Sequence, residues 1–177
     1  MPDLEQRYRA LSRQFHPDYF YNAPPAERRA ALEQSSYLND AYRALKTPVG
    51  RVEYLLRLEG LAPKNAQEAS RQVPPSLLEE VFALNEELDE IRELRASGAP
   101  ADEWKARLED ARRPIEQKRA DHEAQLEQLS AQWDAAVDRE APEPERRAIL
   151  EALRDRFLER NYINNLLAGI ERELMSH

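Results

Sequence analysis

Reactive side chains are where this 177-residue chain is most restrictive. It contains no cysteine, three histidines and 34 aspartates and glutamates. Without a thiol there is no disulfide, no thiolate nucleophile, no iron–sulfur ligation and no zinc-thiolate site. His177 is the last residue of the sequence, His122 falls among apolar residues at helical spacing, and His16 opens the tripeptide His16-Pro17-Asp18. A histidine doing acid–base or nucleophilic work needs a nucleophile or a metal beside it. A di-iron helical bundle needs Glu-x-x-His pairs. Here the residue three before His122 is Arg119, and no other helix of that region carries an internal histidine. The sequence offers no catalytic constellation, no metal ligand set and no cofactor site, so its chemistry is read as recognition.

The tripeptide has a local reading of its own. Histidine complements a helix C-terminus, proline stops the helix and aspartate suits the turn that follows. Leu4, Tyr8, Leu11 and Phe15 recur at steps of four, three and four, giving a first helix that ends at His16–Pro17. Tyr19 to Ala23 is a loop. Pro24 and Pro25 suit the opening turn of a second helix running to Leu45, with Ala30/Ala31, Gln34, Leu38, Ala41/Tyr42 and Leu45 on its buried side. Thr47–Pro48 stops that helix and caps a third, Val49 to Leu58, ended by Gly60. Two long helices joined by a short loop make an antiparallel hairpin, with His16-Pro17-Asp18 in its loop.

Charge and punctuation divide the chain. Residues 1–46 carry seven Lys/Arg against six Asp/Glu, whereas 76–97 carry seven acids against two arginines. Three prolines and many small polar residues fill 61–75, which reads as a linker between residues 1–60 and 76–177. In the second region Leu77, Val81, Leu84, Leu88 and Ile91 form a heptad seam. Trp104, Leu108, Ala111 and Ile115, then His122, Leu126, Leu129 and Trp133, repeat it, with Pro114 predicting a kink or break. Ile149, Leu153, Ile163, Leu167, Ile170 and Leu174 make a third seam, in which Arg156 and Arg160 take the intervening positions. Three seams predict a three-helix bundle. No strand pattern is present, so the fold class is all-α. A formal charge of −8 argues against nucleic acid as a general partner, and no apolar run approaches the ~18 residues of a spanning helix. The opening residues have neither a signal-peptide nor a transit-peptide layout; a cytoplasmic protein is expected.

The surroundings of the tripeptide carry a family likeness. Tyr8-Arg9-Ala10-Leu11-Ser12 stands upstream, and Asn39-Asp40-Ala41-Tyr42-Arg43-Ala44-Leu45 with Pro48 downstream. With Arg51-Val52-Glu53-Tyr54-Leu55-Leu56 this resembles a J-domain, specifically that of the HscB family of iron–sulfur co-chaperones. Glu86-Glu87-Leu88-Asp89-Glu90-Ile91 resembles the same family's signature in the first helix of its C-terminal bundle. The resemblance implies a non-enzymatic role: His16, Pro17 and Asp18 would dock on an ATPase chaperone of the DnaK/HscA type and trigger ATP hydrolysis. Arg7, Arg9 and Arg13 lie off the apolar face of the first helix. They either steer it onto an acidic chaperone surface or form an ordinary solvated face.

Leu78 and Phe82 sit one position past Leu77 and Val81, on a stripe continuing through Asn85 and Asp89. They either widen the core or form an exposed patch rimmed by Glu79, Glu86 and Glu90. The resemblance implies that an IscU-type scaffold protein docks here, through Leu78, Phe82, Asn85 and Glu86, with Phe157 of the last helix as a further contact. The chain departs from the family in three ways. Only Met1-Pro2-Asp3 precede the first helix, where the family has a short aromatic-rich helix, so Val52, Leu55 and Leu56 are expected to lack part of their cover, and either the true start lies upstream or the chain is a trimmed fragment. Tyr19 stands where lysine is common. The zinc-binding module of eukaryotic relatives is missing, favouring a bacterial origin. Two other readings use the same residues: a J-protein serving a general chaperone and another client, and a helical adaptor with no chaperone partner.

Overall fold

A computed structural model describes residues 2–63 and 74–175. Among them are six α-helices, two short 3-10 turns (Pro17–Phe20 and Pro75–Leu77) and no strand. The helices are α1 (Pro2–Gln14), α2 (Pro25–Lys46), α3 (Pro48–Leu58), α4 (Leu78–Ala96), α5 (Ala101–Asp138) and α6 (Glu143–Met175). No helix among the described residues is long and apolar enough to cross a membrane. Contacts divide the chain into Met1–Leu58 and Glu59–His177. Most of the expected linker, 64–73, lies outside the described residues, as does His177.

In the first unit α1 is fastened to α2 by Tyr8. Its ring stacks on Tyr42 with centroids 4.0 Å apart and an interplanar angle of 14°. Its hydroxyl donates to Asn39 Oδ1 at 2.6 Å, so the polar tip of a half-buried aromatic is satisfied. The α2–α3 corner is tighter than its sequence suggests. Thr47 Oγ1 accepts the Gly50 N–H at 3.0 Å, an N-cap on α3. The Arg51 guanidinium donates back to the Leu45 carbonyl at 3.0 Å, at the end of α2. A Cβ on Gly50 would stand 2.5 Å from the Ala44 carbonyl oxygen and 2.9 Å from Thr47 Oγ1, so this helical position has room for glycine alone. Ala31, Val52 and Leu56 are buried here. Two expectations are corrected: Gln34 is exposed, and Val52 and Leu56 are well covered on α3, while Leu55 is half-buried. Exposed large apolar side chains in this unit include Leu11, Leu32 and Leu58, together with the tyrosines Tyr37 and Tyr54.

In the second unit α4, the first half of α5 and the second half of α6 enclose one core. It contains Leu77, Val81, Leu84 and Ile91 from the α4 region, Trp104, Leu108 and Ile115 from α5, and Ile163, Leu167 and Ile170 from α6. α5 runs unbroken through Pro114. The turns on either side of α5 use one solution. After α4 the Ala99 N–H reaches the Leu94 carbonyl and the Gly98 N–H the Arg95 carbonyl, with Gly98 at φ 84°. After α5 the Ala141 N–H reaches Ala136 and the Glu140 N–H reaches Val137, but the left-handed position is filled by Glu140, at φ 52°. Both are Schellman turns, which satisfy the last carbonyls of a helix and favour glycine at that position.

The expected three-helix bundle is only part of this unit. α4 is 19 residues long against 38 and 33 for α5 and α6. Lys118 of α5 pairs with Glu80 in the first turn of α4, so α4 starts beside the middle of α5. Past that point, among the described residues, α5 and α6 pair as a two-helix hairpin around Leu126, Ala136, Leu150, Leu153 and Phe157.

Candidate functional site

The hairpin loop is built from its own tripeptide. α1 gives out at Gln14, and a last Phe15 N–H to Leu11 carbonyl bond at 3.0 Å closes it. Pro17 has no N–H and a fixed φ, which suits the first position of the 3-10 turn. His16 is the N-cap of that turn: its Nδ1 accepts the Asp18 N–H at 3.3 Å, and its carbonyl accepts the Tyr19 N–H at 3.0 Å. An accepting Nδ1 places the imidazole proton on Nε2, which is the donor left for a partner. The histidine therefore braces the loop instead of capping α1. The Asp18 side chain is 87% exposed, with Oδ2 3.5 Å from His16 Nδ1. Tyr19 sets its exposed ring edge-on to His16, centroids 6.1 Å apart. Such a loop presents an imidazole N–H, a carboxylate and a phenol without having to order itself.

The three arginines of α1 are exposed, and two are held within the helix. Arg7 pairs with Asp3 at 3.1 Å and Arg9 with Glu5, both with the acid four residues N-terminal to the base. Arg13 donates from Nε to the Arg9 carbonyl at 3.3 Å. Exposed pairs of this kind contribute little to stability and exchange readily with another carboxylate.

On α4 the two readings of the Leu78 stripe separate cleanly. Leu77, Val81, Leu84 and Ile91 fill the core, while Leu78 is 41% and Phe82 66% exposed. Asn85, Glu79, Glu86 and Glu90 are exposed around them. The stripe is a surface patch with an acidic rim. Behind it, Arg107 of α5 reaches Glu87 at 2.7 Å and Glu90 at 2.6 Å, and these two carboxylates hold the guanidinium pKa above its ordinary value. Phe157 is corrected. At 5% exposure it is part of the α6 core, because the seam there runs Leu150, Leu153, Phe157 and not through the half-buried Ile149. It is a packing residue and presents no ring to a partner.

A co-chaperone protein HscB homolog of Vibrio vulnificus is 37% identical over 138 residues, 77% of this chain and 75% of that protein. The chain belongs to the HscB family of co-chaperones. The structure of chaperone HscB from Vibrio cholerae matches with a TM-score of 0.61 at 28% identity, covering 96% of this chain and 85% of that one. No family model matches the sequence.

One feature of this HscB-family chain was not legible as a site. His122 is 2% exposed, and its Nδ1 lies 3.2 Å from Oε2 of Glu159, which is itself buried. Oε1 of Glu159 accepts from Ser76 Oγ at 2.7 Å, and Oε2 lies 2.7 Å from the Arg156 guanidinium. Neither His122 Nδ1 nor Glu159 Oε2 completes an aligned hydrogen bond among the described residues, so that contact is electrostatic. Burial pushes the imidazole pKa down; Glu159 opposes this, while Arg156 and Lys118 reinforce it. The histidine is thus a neutral core group, as its place on the seam predicts. Glu159 gives no such signal, since its partners lie 37 to 83 residues away and only Arg156 is local.

Proposed function

We propose that this protein stimulates ATP hydrolysis by a DnaK/HscA-type chaperone through His16, Pro17 and Asp18. It delivers an IscU-type scaffold protein, docked on α4, for maturation of iron–sulfur proteins in the bacterial cytoplasm. The observation that carries this reading is the self-braced, exposed His16-Pro17-Asp18 turn at the tip of the α1–α2 hairpin. Family membership supports it. An exposed carboxylate on a rigid turn offers a charge-assisted acceptor to a cationic side chain, at little entropic cost. Arg7, Arg9 and Arg13 flank it on α1 and favour encounter with an acidic partner. On α4, Leu78 and Phe82 with Asn85 and Glu86 have the layout of an interface, apolar at the centre and charged at the rim. No group of this chain carries out the hydrolysis or holds the cluster; both belong to partners.

A steady-state ATPase assay of the cognate chaperone, with and without scaffold protein, tests the proposal. His16→Gln is expected to abolish stimulation while leaving scaffold binding intact, because the amide cannot cap the turn and present an imidazole N–H together. Phe82→Ala is expected to weaken scaffold binding and spare scaffold-independent stimulation. Stimulation unchanged by His16→Gln would sink the chaperone half. Unchanged scaffold affinity in Phe82→Ala would leave a J-protein with another client.

A further inference from the structure

The patch on α4 works only if its first turn is aimed correctly, and nothing in a lone helix fixes that aim. Packing of Leu77 and Val81 in the core fixes it in part, and two cross-helix links add to that. Lys118 of α5 holds Glu80, whose pKa is lowered chiefly by that hydrogen bond. On the other side Ser76, two residues ahead of Leu78, donates to Glu159 of α6 at 2.7 Å. The second link is the unusual one, because its acceptor is a carboxylate at 7% exposure. Such a group is stable only with charge and hydrogen-bond compensation. Arg156 supplies the charge, His122 lies on the other side, and Ser76 supplies, among the described residues, the aligned hydrogen bond. The node also sits where α4 begins, beside the middle of α5.

We propose that Glu159 is a positioning residue for the α4 docking face: clamped between His122 and Arg156, it fixes the start of α4 through Ser76 and so sets the angle at which Leu78 and Phe82 are presented. This rests on the docking role proposed for α4.

The test uses the full chain and the scaffold protein. Affinity is measured by calorimetric titration for Ser76→Ala, Ser76→Thr and Phe82→Ala, alongside amide exchange across the bundle. Ser76→Ala is expected to weaken scaffold binding about fivefold, the effect of losing one hydrogen bond to a charged acceptor that water partly replaces. Threonine keeps the hydroxyl and restores the affinity. Amides in the first turn of α4 exchange faster in Ser76→Ala, while those of α5 beyond Leu126 stay as in the parent. Parent-like affinity in Ser76→Ala beside a weakened Phe82→Ala overturns the positioning role and leaves the docking face standing. Equal weakening by Ser76→Ala and Ser76→Thr overturns it as well, since the hydroxyl would then not be the determinant. Parent-like affinity in Phe82→Ala removes the docking face, and the positioning role with it.

Discussion

His122 makes the stability of the second unit depend on pH, with a sign fixed by its burial. Its pKa is lowered in the folded protein from an ordinary 6.5, chiefly by desolvation. The unfolded chain therefore binds a proton more readily than the folded one, and stability rises with pH across the interval between the two values. The contribution is fully present above the unfolded value and is lost as pH falls below it. For an imidazole that stays neutral while folded, the loss is under about 0.1 kcal/mol at pH ~7.5 and about 1.4 kcal/mol at pH ~5.5; any charging of the folded form makes it smaller. The Glu80–Lys118 pair works in the same direction but titrates lower, because the Glu80 pKa is depressed below 4.5. The natural probe is intrinsic fluorescence, since both tryptophans, Trp104 and Trp133, lie in the second unit and the first has none. Urea unfolding followed at the tryptophans should lose up to about 1.4 kcal/mol between pH ~7.5 and ~5.5 in the parent. His122→Gln should flatten that dependence, whatever it does to the absolute value. A parent whose unfolding free energy is level over this interval, or a His122→Gln chain that keeps the parent's slope, refutes the assignment.

Three further outcomes follow from local geometry. Gly50→Ala should destabilise the first unit by about 1–3 kcal/mol despite alanine's better helix propensity, because the new Cβ drives into the Ala44 carbonyl; circular dichroism of residues 1–63 alone or in the full chain reads the shift. Tyr8→Phe keeps the stack on Tyr42 but leaves Asn39 Oδ1 without its donor, costing about 1 kcal/mol and raising exchange at α1 amides. Glu140→Gly should stabilise the second unit by roughly 0.5–1 kcal/mol in tryptophan-detected unfolding, since it relieves a left-handed non-glycine residue at the end of α5.

Where apolar side chains recur in step with a single neighbouring helix, the sequence and the structure agree closely, with Leu88 half-buried at the seam's edge. Leu77, Val81, Leu84 and Ile91 are buried as their spacing demands, and the same rhythm leaves Leu78 and Phe82 outside. The phase is harder to read on α6, because its partner changes along its length. Among the described helices, α5 covers it near Leu150 and Phe157; near Ile163 and Ile170 α4 does too, and the buried stripe shifts to face both. A frame extrapolated back from Ile163 therefore picks Ile149 and puts Phe157 outside, one position out of step. The shift falls at Arg156, Glu159 and Arg160, where the stripe passes through charged residues whose partners (Gln125, His122, Glu123) come from α5 and, for Glu159, from Ser76. Apolar periodicity reports one contact surface at a time, so it fails where a helix passes from one set of neighbours to another. That crossing is also where a buried carboxylate can be met from three sides, which is why the part of α6 least legible in sequence is the part that aims α4.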